Sequence, residues 1–201
     1  QQRGGEAETL LRGDQHRRDQ WQQHHQQQQH DEGHVHGRLA DRIQHRPPRT
    51  LPPEAACIDA ILEAEREAGV GDHMLLAMGF TEAGRMTADR LFTVWPWTVN
   101  TEGVSRYFPT REDAIAFVRE AQARGVRSID VGCLQVNLKW HPDAFPDLVT
   151  AFDPRANVRY AARFLGELRR AHGTLDDAIA RYHSAQSERG AAYRQRVTGN
   201  L

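Results

Sequence analysis

Residues 78–85 read MGFTEAGR, and the reading of the whole domain turns on them. The run from Leu75 through Thr81 carries no charge, and Glu82 arrives where that apolar helix should stop, just before Gly84. A carboxylate is costly to bury unless it is paired or its pKa is shifted. Two readings follow. Glu82 is an ordinary acid paired with Arg85 three residues on, or it is a group kept partly protonated for chemistry.

Upstream and downstream of this stretch the chain is punctuated as helices. PPEAACIDAILEAEREAG (52–69) starts after Pro53 and stops at Gly69, with Ile58, Ile61, Leu62 and Glu65 at helical spacing. Asp72 is placed to cap the helix that carries Met74 to Phe80. Thr110 with Asp113 and Thr174 with Asp177 form capping pairs ahead of AIAFVREAQARG and DDAIARYHS. Asp153-Pro154 opens a long helix striped with Val158, Ala161, Leu165 and Leu168. Between helices, FTVWPWTVNTEGVSRYF (92–108) is rich in Trp, Val, Thr and Tyr, with NTEG as a turn, which predicts a β-hairpin or an extended loop. ERGAAYRQRV near the end reads as a solvated closing helix. The expectation is a mainly α domain over residues 53–201 with one small β-hairpin, long enough to bury a core.

Residues 1–52 differ in composition. WQQHHQQQQHDEGHVHGR is dominated by Gln and His, seven of the eleven histidines precede residue 50, and RPPRTLPP closes the block. Too few apolar residues are present for a core, which predicts a disordered tail and a stiff linker. His24, His25, His30, His34 and His36 form a tract of weak, unspecific metal-binding type, and a solvated tether is the simpler reading, so no metal or cofactor is assigned.

With 26 basic and 27 acidic residues, the total charge gives no reason to expect a nucleic-acid partner. No apolar run has the length of a transmembrane segment. The chain opens on Gln, which fits an export signal removed before it. Cys57 and Cys133 are either a single bridge, as an oxidising compartment allows, or two separate thiols.

Four segments remain as chemistry: Glu82 in TEAGR, WPWTVN (95–100), GCLQVN (132–137) within IDVGCLQVNLKWHP, and RYHS (181–184). In this order they resemble the lysozyme-like lytic transglycosylases of the soluble-transglycosylase (SLT) type. That family has a Glu followed by a small residue, then a GLMQ-like segment, then an AYN-like segment, with a long core helix such as NVRYAARFL before the last. The resemblance spans residues 54–197 and implies motifs carried on helices in a lysozyme-like domain. Ala83 stands where the family has Ser, Cys133 and Leu134 where it has Leu and Met, and His183 where it has Asn. The long interval between Glu82 and Gly132 looks like an insert that reshapes the sugar groove.

The resemblance implies cleavage of peptidoglycan glycan strands at the MurNAc–GlcNAc β-1,4 bond, in the periplasm or cell envelope, in some members alongside flagellar or secretion-system components. Glu82 would act alone, first as general acid on the leaving oxygen, then as base on the C6 hydroxyl of the muramyl unit, giving a 1,6-anhydro product. No second acid is assigned to Glu82, with Glu102 and Asp130 as the candidates. By motif position Gln135 would bond the acetamido group or the glycan backbone, Tyr182 would orient Glu82 or the sugar, and Asn137 would contact substrate. From residue type alone, Trp95 and Trp97 offer faces for sugar stacking. Two rivals stand beside this reading: a hydrolytic, goose-type lysozyme-like muramidase, and a glycan-binding scaffold that lost catalysis, to which Ala83 points.

Overall fold

The punctuation above produces helices where it predicts them. The computed structural model describes residues 51–68, 73–184 and 186–201. The chain divides into the units Gln1–Arg49 and Thr50–Leu201, and all described residues belong to the second. The histidine tract and the proposed Asp72 cap lie outside the described residues.

The elements run α1 (Pro53–Ala68), α2 (Met74–Ala83), β1 (Gly84–Met86), β2 (Phe92–Val94), β3 (Thr98–Thr101), β4 (Val104–Tyr107), α3 (Arg111–Ala123), β5 (Ile129–Val131), β6 (Val136–Asn137), α4 (Leu148–Ala151), α5 (Pro154–His172), α6 (Leu175–His183) and α7 (Ser187–Thr198). Thr110, Asp153 and Thr174 cap α3, α5 and α6, each accepting from the amide three residues on. At α2 the cap comes from elsewhere. Glu65 of α1, nearly fully buried, accepts from the amides of Leu75 at 2.8 Å and Leu76 at 3.1 Å. A carboxylate at a helix N-terminus satisfies orphan donors and suits the helix dipole. Glu65 therefore interrupts the apolar face of α1 in order to anchor the helix that carries Glu82 in its last turn.

The β structure exceeds the single hairpin expected. One antiparallel pair is β1–β2, with Arg85 opposite Thr93. The other sheet has the order β4-β3-β5-β6, all antiparallel. The predicted 92–108 segment is thus split: Phe92–Val94 pairs back onto the strand after Glu82, and only Thr98–Tyr107 forms the hairpin.

Two apolar cores result. The helical core gathers Ile61 from α1, Leu75 and Met78 from α2, Val158 and Leu165 from α5, Ile179 from α6 and Tyr193 and Val197 from α7. The second packs Ile115 and Val118 of α3 against Val99, Ile129, Val131 and Phe152. Each such side chain contributes about 1.5–3 kcal/mol on burial. The segment 131–136 passes from one core to the other, with Val131 in the second and Cys133, Leu134 and Val136 in the first. A disulfide, Cys57–Cys133, ties it to α1 across a separation of 76 residues.

Candidate active site

Three segments far apart in sequence meet at the end of α2. Glu82 lies in its last turn, partly buried. Around it stand Tyr182 from α6, Tyr193 and Arg196 from α7, and Asp130 from β5, all close enough for their charge or hydroxyl to act on it or to feel its charge.

Burial pushes the Glu82 carboxyl up from 4.5 to about 7. The Tyr193 hydroxyl opposes this by favouring the carboxylate, the negative charge of Asp130 adds to the rise, and Arg196 lowers it again. Tyr193 is buried, and its hydroxyl makes no well-formed hydrogen bond with any described residue. Its contact with Glu82 is thus close enough to matter electrostatically but not an aligned bond. Burial, then the charge of Glu82, holds both Tyr182 and Tyr193 hydroxyls well above the usual tyrosine value, so both stay protonated donors.

Of the GCLQVN segment, residues 132–135 form a turn between β5 and β6 and Val136–Asn137 is β6 itself, not the helix that the resemblance implies. Gly132 has φ +82 and Gln135 φ +47. Gly132 is obligatory for a second reason: a Cβ there would lie 2.4 Å from the Asn157 amide nitrogen. Asn157, fully buried in α5, is the organiser of this turn. Its Nδ2 donates to the carbonyls of Val131 and Ala151, each at 3.0 Å, and its Oδ1 accepts from the amide of Leu134 at 3.0 Å. Tyr182 then donates to the Leu134 carbonyl at 2.8 Å, locking the third motif onto the second.

Gln135 is oriented by its own amide. Its Nε2 donates to the carbonyls of Thr98 at 3.0 Å and Gly132 at 2.9 Å, which leaves the buried Oε1 without a donor among the described residues. An unmet buried acceptor costs about 1–3 kcal/mol. Only an N–H or O–H can satisfy it, so Gln135 has acceptor capacity left and no donor capacity.

The other expected contacts are spent inside the protein. Asn137 donates to Ser128 at 3.0 Å and Asp130 at 2.7 Å and accepts from the amides of Lys139 and Trp140. It shapes the turn after β6 and holds Asp130. Burial raises the pKa of Asp130, against the Asn137 bond. Glu102 sits in the exposed β3–β4 turn. Trp95, 7% exposed, donates to the Phe108 carbonyl at 2.7 Å, meets Trp97 edge-on and has the Arg85 guanidinium over its ring. It has no open face for a sugar, because core packing and the cation take it. Trp97 is half-buried against the second core.

Two contributors received no site role from the sequence. Tyr193 lies in the helix expected to be solvated, and its spacing from Val197 is the signal that one face is buried. His183 stacks flat on Tyr193, with centroids 4.7 Å apart. Partial burial and then the charges of Arg196 and Arg189 lower its pKa, so it is neutral near pH 7. His141 pairs with the Tyr160 hydroxyl at 2.8 Å. No cluster of metal-ligand type occurs among the described residues. A cavity of about 760 Å³ lies between α1 and α5, lined by Ala64, Arg159, Arg163, Leu165 and Arg170 among others, and does not include Glu82.

Comparison with protein-family models, with curated proteins and with solved structures found no match.

Proposed function

We propose that residues 53–201 form a lysozyme-like peptidoglycan lytic transglycosylase with Glu82 as its single general acid and base. The observation that carries this reading is a carboxyl group raised to about 7, flanked by two protonated tyrosines. A group with that pKa is available in both protonation states near neutrality, as a donor that must later accept requires. Protonated Glu82 gives its proton to the glycosidic oxygen as the bond to C1 breaks, with the 2-acetamido group assisting departure. The carboxylate then takes the proton of the C6 hydroxyl as O6 closes onto C1. The disulfide fits an oxidising compartment such as the periplasm. Association with a flagellar or secretion machine remains a corollary of the resemblance.

Asp130 favours the second reading, a muramidase. A carboxylate whose field reaches Glu82 is a candidate base for a water nucleophile. Digestion of purified peptidoglycan by wild type and by Glu82→Gln, followed by mass spectrometry, separates the two. Anhydromuramyl ends from wild type alone support transglycosylation. Reducing ends mean hydrolysis, and release by neither protein refutes catalysis by this chain.

A further inference from the structure

Arg85 is the middle residue of β1, three residues beyond Glu82. Chain reach places its Cα within about 11 Å of that of Glu82. It is not the partner of Glu82: no ion pair joins them among the described residues, and the cation that acts on Glu82 is Arg196. Instead the Arg85 guanidinium is held between two rings, 4.5 Å from the Trp95 centroid and 5.3 Å from that of Tyr107. Both rings are tied to backbone. Trp95 Nε1 donates to the Phe108 carbonyl, and the Tyr107 hydroxyl donates to the Gly84 carbonyl at 3.0 Å.

Some arginines of the domain have acids: Arg155 has Asp59 and Glu63, Arg194 has Asp176, Arg124 has Glu120. Arg85 has neither a carboxylate nor a carbonyl acceptor among the described residues, and it is only partly exposed. Ring stacking accounts for the position of the cation. It uses none of the five N–H donors, whose planar fork matches a carboxylate in bidentate fashion. The side chain is thus already immobilised, so less of its freedom is lost when an anion binds.

We infer that Arg85, clamped between Trp95 and Tyr107, is a carboxylate-binding contact for the glycan strand at Glu82. The inference rests on the proposed substrate class. Every muramyl unit bears a lactyl side chain, which is itself a free carboxylate or carries a stem peptide ending in carboxylates. The chemistry recognised is the same in both. Trp95 then serves the substrate indirectly, as the floor that holds Arg85, and not as a stacking platform.

The test uses the full chain in the Glu82→Gln background, so that binding is read without turnover. The ligands are glycan strands stripped of peptide, sacculi with stem peptides intact, and neutral N-acetylglucosamine oligomers. Arg85→Gln is expected to weaken binding to an anionic ligand about tenfold or more and to leave the neutral oligomers unchanged. Loss on stripped strands assigns the lactyl carboxylate, and loss on intact sacculi alone assigns the stem. Arg85→Lys keeps a cation on the rings but loses the fork, and it is expected to fall between, which serves if Arg85→Gln does not fold. Equal loss on the neutral oligomers, or no loss on either anionic ligand, overturns the inference. Arg85-dependent binding by a chain whose wild type releases no fragments would sink the catalytic reading while leaving this contact standing.

Discussion

Replacing Glu82 by Gln should make the protein more stable above neutral pH and leave it unchanged in acid. An ordinary glutamate in the unfolded chain titrates near 4.5, whereas burial holds Glu82 at about 7 in the fold. At about 1.4 kcal/mol per pH unit, that difference of roughly 2.5 corresponds to about 3 kcal/mol against the ionised folded state. The carboxyl keeps some exposure, so solvent screening trims this to roughly 2–3 kcal/mol. The sign follows from proton counting. Between pH 4.5 and 7 the folded state holds the proton that the unfolded state has released, so wild-type stability declines as pH rises through that window. Below it, Glu82 is protonated in both states and contributes no difference. Urea unfolding of wild type and Glu82→Gln at pH 4, 6 and 8 should show curves that meet in acid and separate by about 2–3 kcal/mol at pH 8. Parallel curves across the range would refute the buried, proton-holding carboxyl and, with it, the acid role.

Tyr193→Phe removes the hydroxyl that favours ionised Glu82, so the alkaline limb of the activity profile should move to higher pH; an unmoved limb would show that the two groups do not interact. Glu65→Gln leaves a weaker cap on α2 and should cost about 1–2 kcal/mol by denaturant midpoint, with a fall in activity through displacement of Glu82. Cys57→Ser opens a loop closed over 76 residues and should lower stability by about 4 kcal/mol, measured under non-reducing conditions against wild type. Asn157→Ala removes three buried hydrogen bonds around the GCLQVN turn and should lower stability by about 3 kcal/mol or more, seen as a lower melting temperature.

The helices were legible because their signals are local. Thr110, Asp153 and Thr174 cap the amide three residues away, and the α5 stripe needs only a period of 3.6 residues. Glu82 was legible for the same reason, since its oddity is an acid at the end of an uncharged run. Its role rested on segments whose order could be read but whose meeting could not. The GCLQVN turn illustrates the limit: its shape is dictated by Asn157, which donates and accepts from a helix some twenty residues later in the chain.

What the sequence determined by itself was therefore the helical framework, the position of the lone acid and the presence of strand-forming residues after it. Tertiary structure decided the rest, for a physical reason common to each case. The buried Glu65 cap, the Tyr193–His183 stack, the Cys57–Cys133 bridge and the Arg85 clamp all join residues distant along the chain or set by side-chain direction. The pKa of Glu82 likewise depends on which groups surround it in space, and burial, its largest cause, exists only once the helical core has closed around the end of α2.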